Sequence, residues 1–214
     1  MVVHAYIEKL VAKWFPNGVP STTQSNKTPA DALLPQLVAD ALVLDDARDP
    51  EAIRAYQSLV GALLYASTNT RPDIAYAVGM LCRAMVKPTP ELQSAALRVL
   101  GYLYRTKHLG LRYRADSQPA RGYSDSDWAV KHSTSGYVFM YNSAAINWGS
   151  KKQASVALSS CEAEIMAASL AASEAVHIRG FLQELGLAGD EPMELGVDNT
   201  AARDISYKIG RAHV

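Results

Sequence analysis

The spacing of apolar residues changes along this chain, from one apolar position in every three or four to one in every two. Residues 53–68, 74–85 and 92–106 follow the helical spacing, and a proline followed by an acid precedes each segment, as at many helix starts. Short links separate these segments. The pattern therefore predicts three helices packed as a compact bundle.

The N-terminal region shows less regular spacing. Residues 5–15 predict one helix that ends at Pro16, whereas residues 16–50 are rich in Pro, Ser, Thr, Asn and Asp. We interpret residues 16–50 as a long loop with little core of its own.

After residue 115 apolar and polar residues alternate, which is the period of a β-strand. A capping-box pattern, Ser159 to Glu162, then begins a long helix that Gly186 ends. A short strand and the start of another helix follow. The predicted order is strands at 122–126, 136–142 and 144–148, a helix at 160–185, a strand at 193–197 and a final helix. This order predicts an α/β fold in which helices pack on a mixed sheet.

The composition indicates the size of the core and the cellular compartment. The chain has 214 residues, 49% of them hydrophobic, which is enough for one large or two small cores. It has neither a signal-peptide pattern nor an apolar run long enough to span a membrane, so we expect a soluble protein that is not secreted. Its two cysteines, Cys82 and Cys161, lack disulfide or zinc spacing, which is typical of a reducing compartment.

Charge is balanced overall but not along the chain. Twenty-one basic residues match 21 acidic ones, yet the segment from Arg71 to Arg121 has nine basic residues and three acidic ones. Such a segment can follow a phosphate backbone, or it can be the solvated face of amphipathic helices. Both interpretations stay open at this point.

Three carboxylates stand out by position. Asp125 lies at the end of the first predicted strand, Glu164 one turn into the long helix, and Asp198 at the end of the fourth strand. If the first and fourth strands are neighbours, these side chains converge. Such a cluster of anions requires cations between its members, and an all-oxygen ligand set suits Mg²⁺.

Two neighbouring acids compete for these roles. Glu164 shares a helix face with Ala167 and Ala171, whose small side chains let the helix lie close to the sheet, whereas Glu162 belongs to the capping box on nearly the opposite side. We therefore favour Glu164. Asp127 shares the period of Asp125, but we place it past the strand's end, in a turn or a supporting role, and a solvated strand face remains the alternative for this pair.

The motifs resemble those of a known family. The matching stretches span residues 53–204 and include YQSLVGALLYASTNTRPDIAYAVG, YSDSDWA, STSGYVF, AINWGSKKQ, VALSSCEAEIMA and VDNTAA. They are similar to the C-terminal part of the Pol polyprotein of copia-type long-terminal-repeat retrotransposons. The resemblance implies the end of a reverse transcriptase (1–52), a three-helix connection (53–115) and a C-terminally incomplete ribonuclease H-like domain (116–207).

The resemblance also implies a chemistry. Asp125, Glu164 and Asp198 take the positions of the family's catalytic acids, which bind two Mg²⁺ ions, or Mn²⁺ in their place. The implied activity is two-metal hydrolysis of the RNA strand of RNA–DNA hybrids during reverse transcription. The implied partners are the hybrid and the remainder of the Pol polyprotein, with no membrane. The implied location is the cytoplasm, in virus-like particles, with later entry of the element into the nucleus.

Five basic residues are candidate phosphate contacts, although solvated faces explain them equally well. They are Arg105, Lys107, Arg112, Lys151 and Lys152.

The end of the chain departs from the family pattern. Residues 208–214, KIGRAHV, fit no family motif, and we interpret them as an artefactual tail. The family's fourth metal-binding acid has no counterpart before Val214. The alternative function is therefore a catalytically impaired copy that keeps the fold and at most binds nucleic acid. A cysteine hydrolase based on Cys161 at a helix start has a weaker basis, because no histidine lies near it in the sequence.

Overall fold

The computed structural model describes residues 4–24, 27–44, 49–115, 118–129 and 132–211. The chain divides into two compact units, Met1–Leu111 and Arg112–Val214. The interpretation of 208–214 as a tail falls partly outside the described residues, which end at 211.

The first unit is helical. Two of its predicted helix starts are confirmed, since the Asp49 side chain accepts a hydrogen bond from the Glu51 amide (3.0 Å) and the Thr89 hydroxyl accepts one from the Leu92 amide (3.3 Å). The described helices of this unit are α1 (His4–Trp14), α2 (Ser21–Gln24), α3 (Leu34–Val43), α4 (Pro50–Asn69), α5 (Ala75–Cys82) and α6 (Pro90–Arg105), with a 3₁₀ turn at Pro72–Ile74.

One prediction for this unit is wrong. Residues 16–50 are not a loop without a core, because α3 buries Leu34, Val38 and Ala41 in the helical core of the unit. These residues follow the spacing i, i+4, i+7 of a buried helix face. Pro35 falls in the first turn, where proline is tolerated because its missing N–H would have no partner in the helix.

A buried arginine ties the link after α4 to the end of α6. Arg71 is 1% exposed, and its guanidinium donates to both carboxylate oxygens of Asp73 (2.9 and 2.7 Å) and to the Thr106 hydroxyl (2.6 Å). Burial alone would raise the pKa of Asp73, but the hydrogen bonds and charge of Arg71, with a bond from Tyr102, hold this pKa below its ordinary value. The arrangement satisfies a charge that would otherwise be costly to bury.

The second unit contains one four-stranded mixed sheet. Its elements are β1 (Arg121–Asp127), β2 (Thr134–Tyr141), β3 (Ala144–Lys152), α7 (Ser160–Glu184), β4 (Glu194–Val197) and α8 (Thr200–Arg211). The strand order is β3-β2-β1-β4, with β1–β2 and β2–β3 antiparallel and β1–β4 parallel. The predicted fold class is confirmed: the unit is α/β, and its sheet is compatible with a ribonuclease H-like fold.

Helix α7 packs closely on this sheet. Ala163, Ala167 and Ala171 are fully buried on its inner face, so the backbone approaches the strands. Phe139 of β2 fills the core beside Ala171, and it reaches that place because Gly122 on the neighbouring strand has no side chain to overlap its ring. The alanine face that the sequence predicts is the face that positions Glu164.

In the described part of the chain, no helix combines the length and the apolar character that a membrane crossing requires.

Candidate metal site

The parallel pairing of β1 and β4 brings two aspartates to the same edge of the sheet. Ser124 pairs with Val197; Asp125 is the next residue of β1, and Asp198 directly follows the end of β4. The carboxyl ends of parallel neighbours lie side by side, so both side chains reach one place. Both residues are exposed to solvent.

The start of α7 separates its two glutamates. The Ser159 hydroxyl accepts a hydrogen bond from the Glu162 amide (3.1 Å), and the Glu162 carboxylate accepts one from the Leu158 amide (2.7 Å). Glu162 therefore stays at the exposed helix end, as the capping pattern predicts. Glu164, further along the helix, is 6% exposed and points toward the end of β1.

Sequence reasoning missed a buried glutamine that anchors this helix. The Gln153 carboxamide donates hydrogen bonds to the Ser135 hydroxyl (3.0 Å) and to the Ala163 carbonyl (2.9 Å). It thereby joins β2 to the residue immediately before Glu164. The signal in the sequence was the place of Gln153 at the end of the matched stretch AINWGSKKQ.

The structure brings the three predicted acids together. One carboxylate oxygen each from Asp125, Glu164 and Asp198 lie within 4.8 Å of one another. Burial raises the pKa of Glu164, and the nearby charges of Asp125 and Asp198 raise it further, against hydrogen bonds from Ser126 that lower it. Without a cation this cluster is an electrostatic cost, because like charges at this range repel.

One oxygen of Glu164 tests whether a cation fits. Glu164 Oε2 is buried and has no hydrogen-bond partner among the described residues, whereas Oε1 accepts two bonds from Ser126. A buried carboxylate oxygen without a donor is costly unless a cation satisfies it. A set of carboxylate oxygens alone suits a hard divalent ion such as Mg²⁺ or Mn²⁺. The residues present therefore fit a divalent cation.

Asp127 is placed differently from the prediction. It is the last residue of β1 and pairs with Thr134, so it does not lie past the strand's end. At this end β1 runs one residue further than predicted, because its pairing with β2 continues as far as Thr134, the first residue of β2. Asp127 is nevertheless absent from the carboxylate cluster, so the Asp-x-Asp stretch contributes one member to it.

Two of the predicted phosphate contacts are engaged within the first unit. Lys107 forms an ion pair with Glu8 (2.9 Å), and this hydrogen bond raises the pKa of Lys107. The exposed Arg105 donates a hydrogen bond to the Lys27 carbonyl (3.3 Å) and lies 5.8 Å from the ring centre of Tyr102. A phosphate would have to compete with these contacts.

The other three basic residues belong to the second unit and are exposed. Arg112 lies before β1, and Lys151 and Lys152 end β3. Through β2, Lys151 lies in register with Ser126, and Lys152 with Asp127. Two intervals between strands, each about 4.8 Å wide, therefore separate these lysines from the strand that carries Asp125.

Comparison with known proteins identifies relatives of the chain. The "Secreted RxLR effector protein 161" of Plasmopara viticola is 48% identical over 126 residues, which are 56% of this chain and 89% of that protein. The "Retrovirus-related Pol polyprotein from transposon TNT 1-94" of Nicotiana tabacum is 40% identical over 155 residues, 71% of this chain and 12% of that protein. The corresponding polyprotein from transposon RE1 of Arabidopsis thaliana is 38% identical over 152 residues, 69% of this chain and 10% of that protein.

The chain is thus similar to retrotransposon Pol polyproteins over 69% to 71% of its own length. It spans only 10% to 12% of the length of the Pol polyproteins named above, so it corresponds to a small part of them. No family model matches the chain.

Proposed function

We propose that the second unit is the ribonuclease H domain of a copia-type Pol polyprotein. In this proposal it hydrolyses the RNA strand of RNA–DNA hybrids during reverse transcription and transposition. The observation that carries the proposal is the cluster of Asp125, Glu164 and Asp198, with carboxylate oxygens within 4.8 Å and one buried oxygen lacking a donor. The similarity to Pol polyproteins supports the substrate class.

Each member of the cluster has a role in this proposal. Glu164 is held from inside the fold and directs one oxygen into the cluster, while the exposed Asp125 and Asp198 form the rim that faces solvent and substrate. Two Mg²⁺ ions, or Mn²⁺ in their place, would supply an activated water and charge stabilisation at the scissile phosphate. The chain's own contribution is to hold three anionic ligands in place before the ions arrive.

The substrate and partners follow from the same proposal. The 2′-hydroxyl distinguishes the RNA strand of a hybrid from DNA, and the exposed Lys151 and Lys152 are the candidate contacts for its phosphates. The first unit corresponds to the end of the reverse transcriptase, and the remainder of the polyprotein is its partner. The proposed location is the cytoplasm, in virus-like particles, with nuclear entry of the element.

The test is cleavage of a hybrid whose RNA strand carries an end label. We expect the 214-residue chain to cut the RNA strand with Mn²⁺ or Mg²⁺, and neither a DNA duplex nor, in EDTA, any substrate. Asp125→Asn should abolish cleavage, whereas Asp127→Asn, on the same strand but outside the cluster, should retain most of it. Cleavage that persists in Asp125→Asn would refute the proposal.

A second candidate is a copy that keeps the fold and binds nucleic acid with little turnover. It is a candidate because a protein 48% identical to this chain over 89% of its own length carries a name outside the Pol polyproteins. Binding of the hybrid without metal-dependent cleavage, in a chain that still binds Mn²⁺, would select this second function.

A further inference from the structure

We propose that Ser126 is a positioning residue that sets which oxygen of Glu164 faces the cation. This inference rests on the proposed function, since it assigns Ser126 a role in the same metal site. Ser126 follows Asp125 directly on β1 and lies opposite Ser135 of β2. The sequence alone gave no reason to assign Ser126 a role in the site.

The contacts of Ser126 link two of the three ligands. Its backbone N–H is shared between Asp125 Oδ1 (2.8 Å) and Glu164 Oε1 (3.2 Å). Its hydroxyl donates a second hydrogen bond to the same Glu164 oxygen at 2.9 Å. One residue thus holds Asp125 and Glu164 in a fixed relation across the gap between β1 and α7.

The asymmetry at Glu164 gives these bonds a consequence. Both donors converge on Oε1, so Oε2 is left buried without a partner among the described residues. A carboxylate can exchange its two oxygens by rotating about its last bond, and two donors on one oxygen oppose that rotation. In this proposal Ser126 thereby fixes the carboxylate and leaves Oε2 without a donor, available to a cation before one binds, in the way that supporting hydrogen bonds orient metal ligands.

The same strand offers a matched control. Ser124 lies two residues earlier, with its side chain on the same side of the strand, and is 6% exposed. Its hydroxyl is buried and has no hydrogen-bond partner among the described residues. Ser124→Ala therefore removes a buried hydroxyl from β1 without touching Glu164, whereas Ser126→Ala removes the one that holds it.

The experiment is a titration of the metal-free 214-residue chain with Mn²⁺, in which the electron paramagnetic resonance signal of free Mn²⁺ reports binding. We expect Ser126→Ala to weaken binding about tenfold, as is usual when a group that orients a ligand is lost. Ser124→Ala should bind as the unaltered chain does. Ser126→Thr, which keeps a hydroxyl, should recover most of the affinity. Thermal unfolding in EDTA confirms that each variant is folded.

The outcomes separate this inference from the proposed function. If the unaltered chain does not bind Mn²⁺, or Asp125→Asn binds it equally well, the metal site itself is refuted. If the chain binds Mn²⁺ in an Asp125-dependent way but Ser126→Ala binds it unchanged, only the role of Ser126 is refuted. Equal weakening by Ser124→Ala, or a Ser126→Thr variant as weak as Ser126→Ala, would also overturn it.

Discussion

Replacing Glu164 by glutamine should make the metal-free protein more stable and remove its stabilisation by metal. Glu164 lies within 4.8 Å of two other carboxylates and is 6% exposed. At this distance two like charges repel by about 0.9 kcal/mol in water and by about 3.5 kcal/mol at an effective dielectric constant of 20. Because Asp125 and Asp198 are exposed, the lower value applies, or about 2 kcal/mol for the two pairs.

Weaker hydrogen bonds from Ser126 offset part of this stabilisation. The bonds that it donates to Glu164 are weaker when they reach a neutral amide oxygen, by about 1 kcal/mol in total. The net stabilisation of Glu164→Gln is then about 1 kcal/mol, which corresponds to a rise of about 5 °C in Tm for a unit of this size. In saturating Mn²⁺ the parent chain should be more stable than Glu164→Gln, because Mn²⁺ binding stabilises only the unaltered site.

Tryptophan fluorescence can follow the second unit alone. Trp128 and Trp148 belong to it, and Trp14 →Phe removes the one tryptophan of the first unit. Glu162→Gln is the matched control, because Glu162 lies on the same helix but bonds the Leu158 amide outside the cluster. A Glu164→Gln variant that is less stable than the parent in EDTA, or equally stabilised by Mn²⁺, would refute the reasoning.

The pH dependence of the metal-free protein follows from the same group. The pKa of Glu164 is raised in the folded state, first by burial and then by Asp125 and Asp198. Between the ordinary and the raised pKa the folded state holds more protons than the unfolded state, so the free energy of unfolding falls as pH rises through that window. Glu164→Gln should lack this fall.

Two further predictions concern the packing of each unit. Asp73→Ala should destabilise the first unit by about 3–5 kcal/mol in urea unfolding, because it leaves the buried Arg71 guanidinium without its carboxylate partner; a loss under about 1 kcal/mol would contradict this. Gly122→Ala should destabilise the second unit by about 1–3 kcal/mol, since a methyl group would overlap the Phe139 ring, whereas Gly180→Ala on α7, with open space around it, should not destabilise it. Equal melting temperatures for the two glycine variants would show that the ring can move aside.

Local patterns predicted the elements that carry the site. The helical phase separated Glu164 from Glu162, because residues three or four apart share a face whatever the helix packs against. The order of the strands predicted the meeting of Asp125 and Asp198 on the condition that β1 and β4 are neighbours, and the parallel pairing meets that condition.

Features that depend on packing between elements could not be predicted in this way. The helix α3 is a different case, because its three buried positions do follow helical spacing, and the polar and proline-containing residues on either side concealed them. The roles of Gln153 and Ser126 rest on hydrogen bonds to α7, and a strand pattern alone does not reveal which residues lie opposite a helix start. The extra strand residue Asp127 likewise depends on its partner in β2.

Anomalous diffraction from crystals soaked in Mn²⁺ tests the central claim most directly. We predict an anomalous peak between the carboxylates of Asp125, Glu164 and Asp198, with Glu164 Oε2 among the ligands and Oε1 still bonded to Ser126. The peak should vanish in Asp125→Asn. A soaked crystal with no peak at this cluster would contradict the metal site and the hydrolysis proposed to depend on it.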